Sequence, residues 1–142
     1  VLIAGLLALS GCGQDDVAVP APMPPATAVD ACRQLQTELP ATVLDGARVM
    51  TDPASEFTAA WGDPAITLTC GVPRPAARTA DAQLLEVNGV TWFPQDLSNG
   101  TRFTTEERVA NVQVDVPIDY RPEAEALIGL APAIATNVPA KS

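Results

Sequence analysis

Cys12 stands directly behind VLIAGLLAL, the apolar and uncharged run of residues 1–9, and this junction decides which part of the chain is left to fold. With Ser10 and Gly11 the run is still too short to cross a hydrocarbon core about 30 Å thick, which takes roughly 20 helical residues. Its length suits the apolar region of a secretion signal, which is cut away and takes no part in the fold. The positively charged stretch that opens such signals does not precede it here, so the expectation is a true start upstream of Val1.

Leu9-Ser10-Gly11-Cys12 resembles the lipobox of bacterial lipoproteins. Small residues before the cysteine fit a narrow peptidase site, and the Cys12 thiol then takes a diacylglycerol. The alternative is a cysteine buried in an apolar helix. Two or more acyl chains anchor stably where a single chain holds only marginally. The expected location is therefore the extracytoplasmic face of the cell membrane, with the membrane as a partner through the lipid. Residues 13–28, GQDDVAVPAPMPPATA, hold four prolines and no apolar periodicity. They read as a semi-extended spacer over 13–29, reaching about 3 Å per residue where it is polyproline-like. One domain over 30–142 follows.

Outside Cys12 the cysteines are Cys32 and Cys70, and an even number in an exported chain suggests a disulfide. Asp30 can cap a helix on which Cys32, Leu35 and Leu39 share one face. In the segment 65–70, Ile66, Leu68 and Cys70 share the inward face of a strand. Both sulfurs thus point at the core. The alternatives are two separate buried thiols or, more remotely, a metal site.

The chain lacks histidine. That removes the commonest general base and the commonest metal ligand together. A nucleophile activated by histidine cannot be built, nor can a histidine-containing zinc site. No cofactor motif and no metal site are expected. The formal charge is −9, from 17 acids and 8 bases. All the bases lie beyond the spacer and only Asp15 and Asp16 lie within it, so the domain is strongly acidic. Such a field repels polyphosphates, which makes a nucleic-acid partner a poor expectation. Aromatics are 4 %, so Leu, Ile and Val must build the core.

Along the domain, the spacing predicts a helix over 31–39 stopped by Pro40, then a short element at 41–44. Asp63-Pro64 marks a turn, and 65–71 reads as a strand ended by the prolines of Val72-Pro73-Arg74-Pro75. Residues 84–87 and 90–93 flank Asn88-Gly89, a strong hairpin signal. A second turn is expected at Asn99-Gly100. Residues 101–105 and 108–116 read as a hairpin around Glu106-Glu107, with Val112, Val114 and Val116 alternating against Asn111, Gln113 and Asp115. Pro122 suits the first turn of a last helix, with Leu127, Leu130 and Ile134 inward and Pro132 kinking or ending it. The expected class is α+β: an antiparallel sheet of four to five strands, with an N-terminal and a C-terminal helix packed on one face.

Several strings are similar to an uncharacterised family of actinobacterial lipoproteins, the domain of unknown function 3515 family. They are Asp30-Ala31-Cys32, Ala60-Trp61-Gly62-Asp63-Pro64, Thr69-Cys70-Gly71-Val72-Pro73-Arg74-Pro75 and Val87-Asn88-Gly89-Val90-Thr91-Trp92, with the stretch from Thr104-Thr105 to Val116-Pro117. The resemblance covers nearly all of the domain. It implies a one-domain exported protein and brings no catalytic residues with it.

Trp61 and Trp92 each adjoin a turn. They are either aromatic platforms for a sugar or peptide, or core plugs in a domain short of aromatics, and the second reading is favoured. Arg74, between two prolines, could offer a preorganised fork to a carboxylate or phosphate, against an ion pair or a solvated loop residue. Asp63 can close its turn by an Asx bond. Glu106 and Glu107 are adjacent, so on a strand they would face opposite ways. Ser55 and Ser98 fall in loops far from the single lysine, Lys141. The expected binding surface joins the Trp61–Pro64 turn to the Cys70–Pro75 segment, with Trp61, Asp63, Arg74 and Trp92 as candidates. The functional expectation is a non-enzymatic binding or assembly accessory of the cell envelope with an envelope-protein or cell-wall partner. The alternative is a small carboxylate-based hydrolase acting on cell-wall glycan or peptide.

Overall fold

The computed structural model describes residues 15–142. Cys12 and the leader lie outside the described residues. The chain enters as a two-residue strand β1 (Val17–Ala18), forms helix α1 (Ala26–Glu38), and lays down short strands β2 (Thr42–Val43), β3 (Gly46–Val49) and β4 (Thr51–Asp52). Longer strands follow: β5 (Thr58–Trp61), β6 (Ile66–Cys70), β7 (Leu85–Val87), β8 (Val90–Leu97), β9 (Gly100–Thr105) and β10 (Val112–Pro117). Helix α2 (Ala126–Asn137) closes the chain. The class is α+β, with an antiparallel sheet of eight strands in the order β2-β3-β5-β6-β10-β9-β8-β7.

Eight strands replace the expected four to five because three of them, β2, β3 and β5, carry no readable pattern. β2 has two residues and β3 four. In β5, Thr-Ala-Ala-Trp, all four residues are buried, so no polar face breaks the run into an alternation. The longer strands did alternate. Ile66, Leu68, Cys70, Val112, Val114 and Val116 are buried on the inner face, where α1 and α2 join them in one hydrophobic cluster. The outer face carries Thr67, Thr69, Gln113 and Asp115, held opposite one another by the β6–β10 register.

Helix placement also differs from expectation. α1 begins at Ala26, five residues earlier than read, and Asp30 lies within it rather than capping it. Pro25 occupies the cap position, where its missing N–H is no loss, and alanine is the strongest helix former. Ala28, Cys32 and Leu35 form the buried stripe. Cys32 is bonded to Cys70, with 5.6 Å between the Cα atoms, which fastens α1 to β6. Pro122 precedes a 3₁₀ turn at Glu123–Glu125 instead of opening the last helix. Pro132 neither ends nor splits α2, because burial of Leu127, Leu130, Ala131 and Ile134 outweighs one missing backbone hydrogen bond.

Asn88 and Gly89 both have positive φ, 48° and 85°, as a two-residue hairpin turn of matching twist requires. The next turn is centred one residue earlier than read, since Leu97 pairs with Gly100 and leaves Ser98-Asn99 as the loop. Gly100 is demanded by crowding: a Cβ there would overlap the Val116 carbonyl oxygen. β9 and β10 pair as expected, but their connection runs through residues 106–111 and β10 starts at Val112.

The segment read as a spacer is bound to the fold from Val17 onward. β1 lies parallel to β4, the Val17 N–H donates to the Met50 carbonyl at 2.9 Å, and the Val19 N–H donates to the Asp52 carbonyl at 3.1 Å. Val19 is only 5 % exposed. The strap then reaches Gly71, whose φ of +96° and missing side chain let Pro24 lie against its backbone. Proline restricts the unfolded chain, so ordering such a segment costs less entropy than ordering a flexible one.

Candidate functional site

The strap and the outer sheet face enclose a groove of about 430 Å³. Residues 18–23 form one wall and residues 71–73 the other. The floor is Thr67, Thr69, Gln113, Arg102 and Asp115. These residues sit together because β6, β10 and β9 are neighbours: Thr67 faces Asp115, Asp115 faces Arg102, and Thr69 faces Gln113.

At one side of the floor Arg102 clamps Asp115 with two parallel hydrogen bonds, Nε to Oδ1 at 2.8 Å and Nη2 to Oδ2 at 2.9 Å. The hydrogen bond to the carboxylate raises the Arg102 pKa above its ordinary value. The side chains of Thr67, Thr69 and Gln113 make no hydrogen bond to another protein group among the described residues. Opposite Gln113 lies Thr104, buried, with an unpartnered hydroxyl. A groove of this kind offers free hydroxyl and amide groups along its floor and apolar contact from its Val-Pro-Ala-Pro-Met wall. It can align a polar, extended ligand.

The expected surface does not form. The Trp61–Pro64 turn opens β6 and the Cys70–Pro75 segment closes it, so the two lie at opposite ends of a five-residue strand. At about 3.3 Å per residue that separation exceeds the reach of any side chain. Trp61 and Trp92 are fully buried and plug the core. Trp61 Nε1 donates to the Pro40 carbonyl at 2.9 Å, with Arg48 over the ring at 5.3 Å. Trp92 meets Phe103 edge-on, with ring centroids 6.5 Å apart, and its indole N–H has no partner. Asp63 and Arg74 are both exposed. The turn holding Asp63 is clamped by the Tyr120 hydroxyl, which donates to the Pro64 carbonyl at 2.6 Å. Burial raises the Tyr120 pKa above its ordinary value, assisted by the Asp119 and Asp63 carboxylates. The Cys70–Pro75 segment is fixed by Asn111, whose amide donates to the Val72 carbonyl at 3.0 Å.

The two tryptophans make a paired prediction. Trp61→Phe forfeits a buried hydrogen bond and strands the Pro40 carbonyl, whereas Trp92→Phe removes an unpaired donor. With similar volume lost, Trp61→Phe should be the more destabilising by about 1 kcal/mol, read as the difference in urea midpoints at equal m-values. Equal midpoints would contradict the hydrogen-bond assignment.

Glu106 and Glu107 do not form a carboxylate pair. Glu106 is buried against Arg78, Nε to Oε1 at 2.7 Å, while Glu107 is exposed with φ of 56°. Ser55 accepts a hydrogen bond from the Phe57 N–H, which closes its loop. Ser98 is in the β8–β9 turn, and Lys141 lies by Glu107. Among the described residues no three His, Cys, Asp or Glu side chains cluster as a metal set, and no helix is long and apolar enough to cross a membrane. Sequence reasoning missed the floor residues. The alternation in 66–70 and 112–116 marked them as one solvated face, but not that the two strands are adjacent, nor that the strap walls them in.

An α+β domain stapled by one disulfide, with a strapped groove on its sheet, is thus the class of protein in hand. The family model described as a protein of unknown function (DUF3515) matches residues 1–142, and the chain belongs to that family. No curated protein and no solved structure matches it.

Proposed function

We propose that this is an exported, lipid-anchored cell-envelope protein, tethered through Cys12, whose domain binds an envelope or cell-wall partner and performs no chemistry of its own. The observation that carries the binding role is the groove floor, where Thr67, Thr69 and Gln113 present uncommitted polar groups between two walls. Export is supported by the apolar run before Cys12 and by the Cys32–Cys70 disulfide, a bond that persists in oxidising compartments. The carboxylate hydrolase reading has less support, because Glu106 and Asp115 are each held by an arginine rather than poised across a cleft.

Gln113→Trp tests the groove. Gln113 is half-buried on a strand that tolerates aromatic residues, so the variant should fold and export while filling the floor. In a deletion strain under envelope stress it should fail to complement, whereas Asp63→Ala, at the far end of β6, should complement as wild type does. Full complementation by a folded Gln113→Trp protein would remove the groove from the account.

A further inference from the structure

The point where the chain enters the fold fixes which end of the domain can face a membrane. Neighbouring strands alternate in direction, and their register gathers Met50, Cys70, Val112, Thr105 and Val90 at one end of the sheet. Gly46, Trp61, Pro117, Gly100 and Leu97 gather at the other. The first backbone hydrogen bond of the chain's entry runs from Val17 to Met50, at the first of these ends. Val17 is five residue steps from Cys12, and five extended steps span at most about 18 Å. A domain of this size is roughly 35 Å across. The link is too short to pass around it.

We infer that, in the lipid-anchored form proposed above, the Met50 end of the sheet rests on the lipid headgroups of the membrane that holds Cys12. The exposed apolar side chains agree independently. Among the described residues the two methionines are the most exposed large apolar side chains, Met23 at 95 % and Met50 at 66 %. Met50 is at the entering end, and Met23 precedes Pro24, which lies on Gly71 at that same end. Both signs of charge meet there, with Arg74, Arg108 and Lys141 among exposed Asp15, Asp16, Asp52 and Glu107. Arg74 follows Gly71, Arg108 reaches the Gly89 and Val138 carbonyls, and Lys141 bonds through its backbone to Glu107. The far end carries exposed Asp45, Asp63, Asp96 and Asp119 together with Arg48 and Arg121. Exposed methionines with long cationic side chains suit the boundary between headgroups and water. The strap therefore acts as a collar that holds the domain at the bilayer, and it sets the groove beside the membrane rather than clear of it.

The test uses the full lipidated protein in vesicles of phosphatidylethanolamine and phosphatidylglycerol doped with a headgroup-nitroxide lipid. A bimane label is placed by Met50→Cys, Met23→Cys or Ser98→Cys, the last at the tip of the opposite end. All three sites are exposed, and the native disulfide is checked by mass. Vesicle flotation reports the anchor and fluorescence quenching reports the orientation. Protein that floats should be quenched several-fold more at positions 23 and 50 than at 98. Floating protein quenched equally at all three overturns the orientation alone. Protein that does not float overturns the anchored form and the orientation with it.

Discussion

Replacing both Cys32 and Cys70 by alanine should cost about 4 kcal/mol of folding stability. The bond closes a loop of 38 residues, and chain entropy released in the unfolded state rises with loop length. Domains of this kind hold only about 5–15 kcal/mol in total, so the loss is a large share of the margin. It should be read as a fall in the extrapolated unfolding free energy, with m rising as the unfolded chain expands, and reduction of the native protein should reproduce it. The effect is expected to be global, because the bond ties α1 to the strand that lies between β5 and β10. A double variant within about 1 kcal/mol of the native protein would mean that packing of Ala28 and Leu35 already holds the helix without the bond.

Glu106→Ala should cost about 3 kcal/mol, more than any other single charge removal in the domain. The Arg78 and Glu106 side chains are 11 % and 7 % exposed, so deleting the carboxylate leaves a guanidinium nearly without water or counter-ion. The Arg33–Glu56 pair is the internal control. Its side chains are 54 % and 50 % exposed, and Glu56→Ala should be close to neutral. Replacing both members of the buried pair, Arg78→Met with Glu106→Leu, should recover most of the loss, since the penalty comes from the stranded charge. Thermal unfolding of the three variants checks the order. Equal losses for Glu56→Ala and Glu106→Ala would contradict the account of burial.

What the sequence made legible was local. The Asn88-Gly89 hairpin could be read because that dipeptide accepts positive φ at both positions and its flanks alternate. The pairing of Cys32 with Cys70 followed because a 3.6-residue stripe and a two-residue alternation each turned one sulfur inward. Misreadings arose where tertiary contacts override local signal. Thr58–Trp61 is buried on both faces and shows no period, and Val17-Ala18-Val19 looked like tether because a single turn of strand pairing leaves no pattern among prolines. The two strings of the expected surface lie apart for a related reason. Trp61-Gly-Asp-Pro and Cys-Gly-Val-Pro-Arg-Pro stand out as strings, yet their glycines serve close contacts, with the Tyr120 hydroxyl beside Gly62 and Pro24 against Gly71. The groove floor, by contrast, is made of ordinary threonine and glutamine whose meaning comes only from register.

The central claim is that a lipid-anchored domain meets its partner at the membrane, and the anchor is its most direct point of test. The N-terminal peptide of the mature protein, isolated from the envelope and weighed by mass spectrometry, should begin at Cys12 and carry a diacylglyceryl group. A Cys12→Ala protein should keep its leader and lack that mass. Mature protein whose N-terminal peptide still contains Ser10-Gly11-Cys12 with an unmodified thiol would contradict the account.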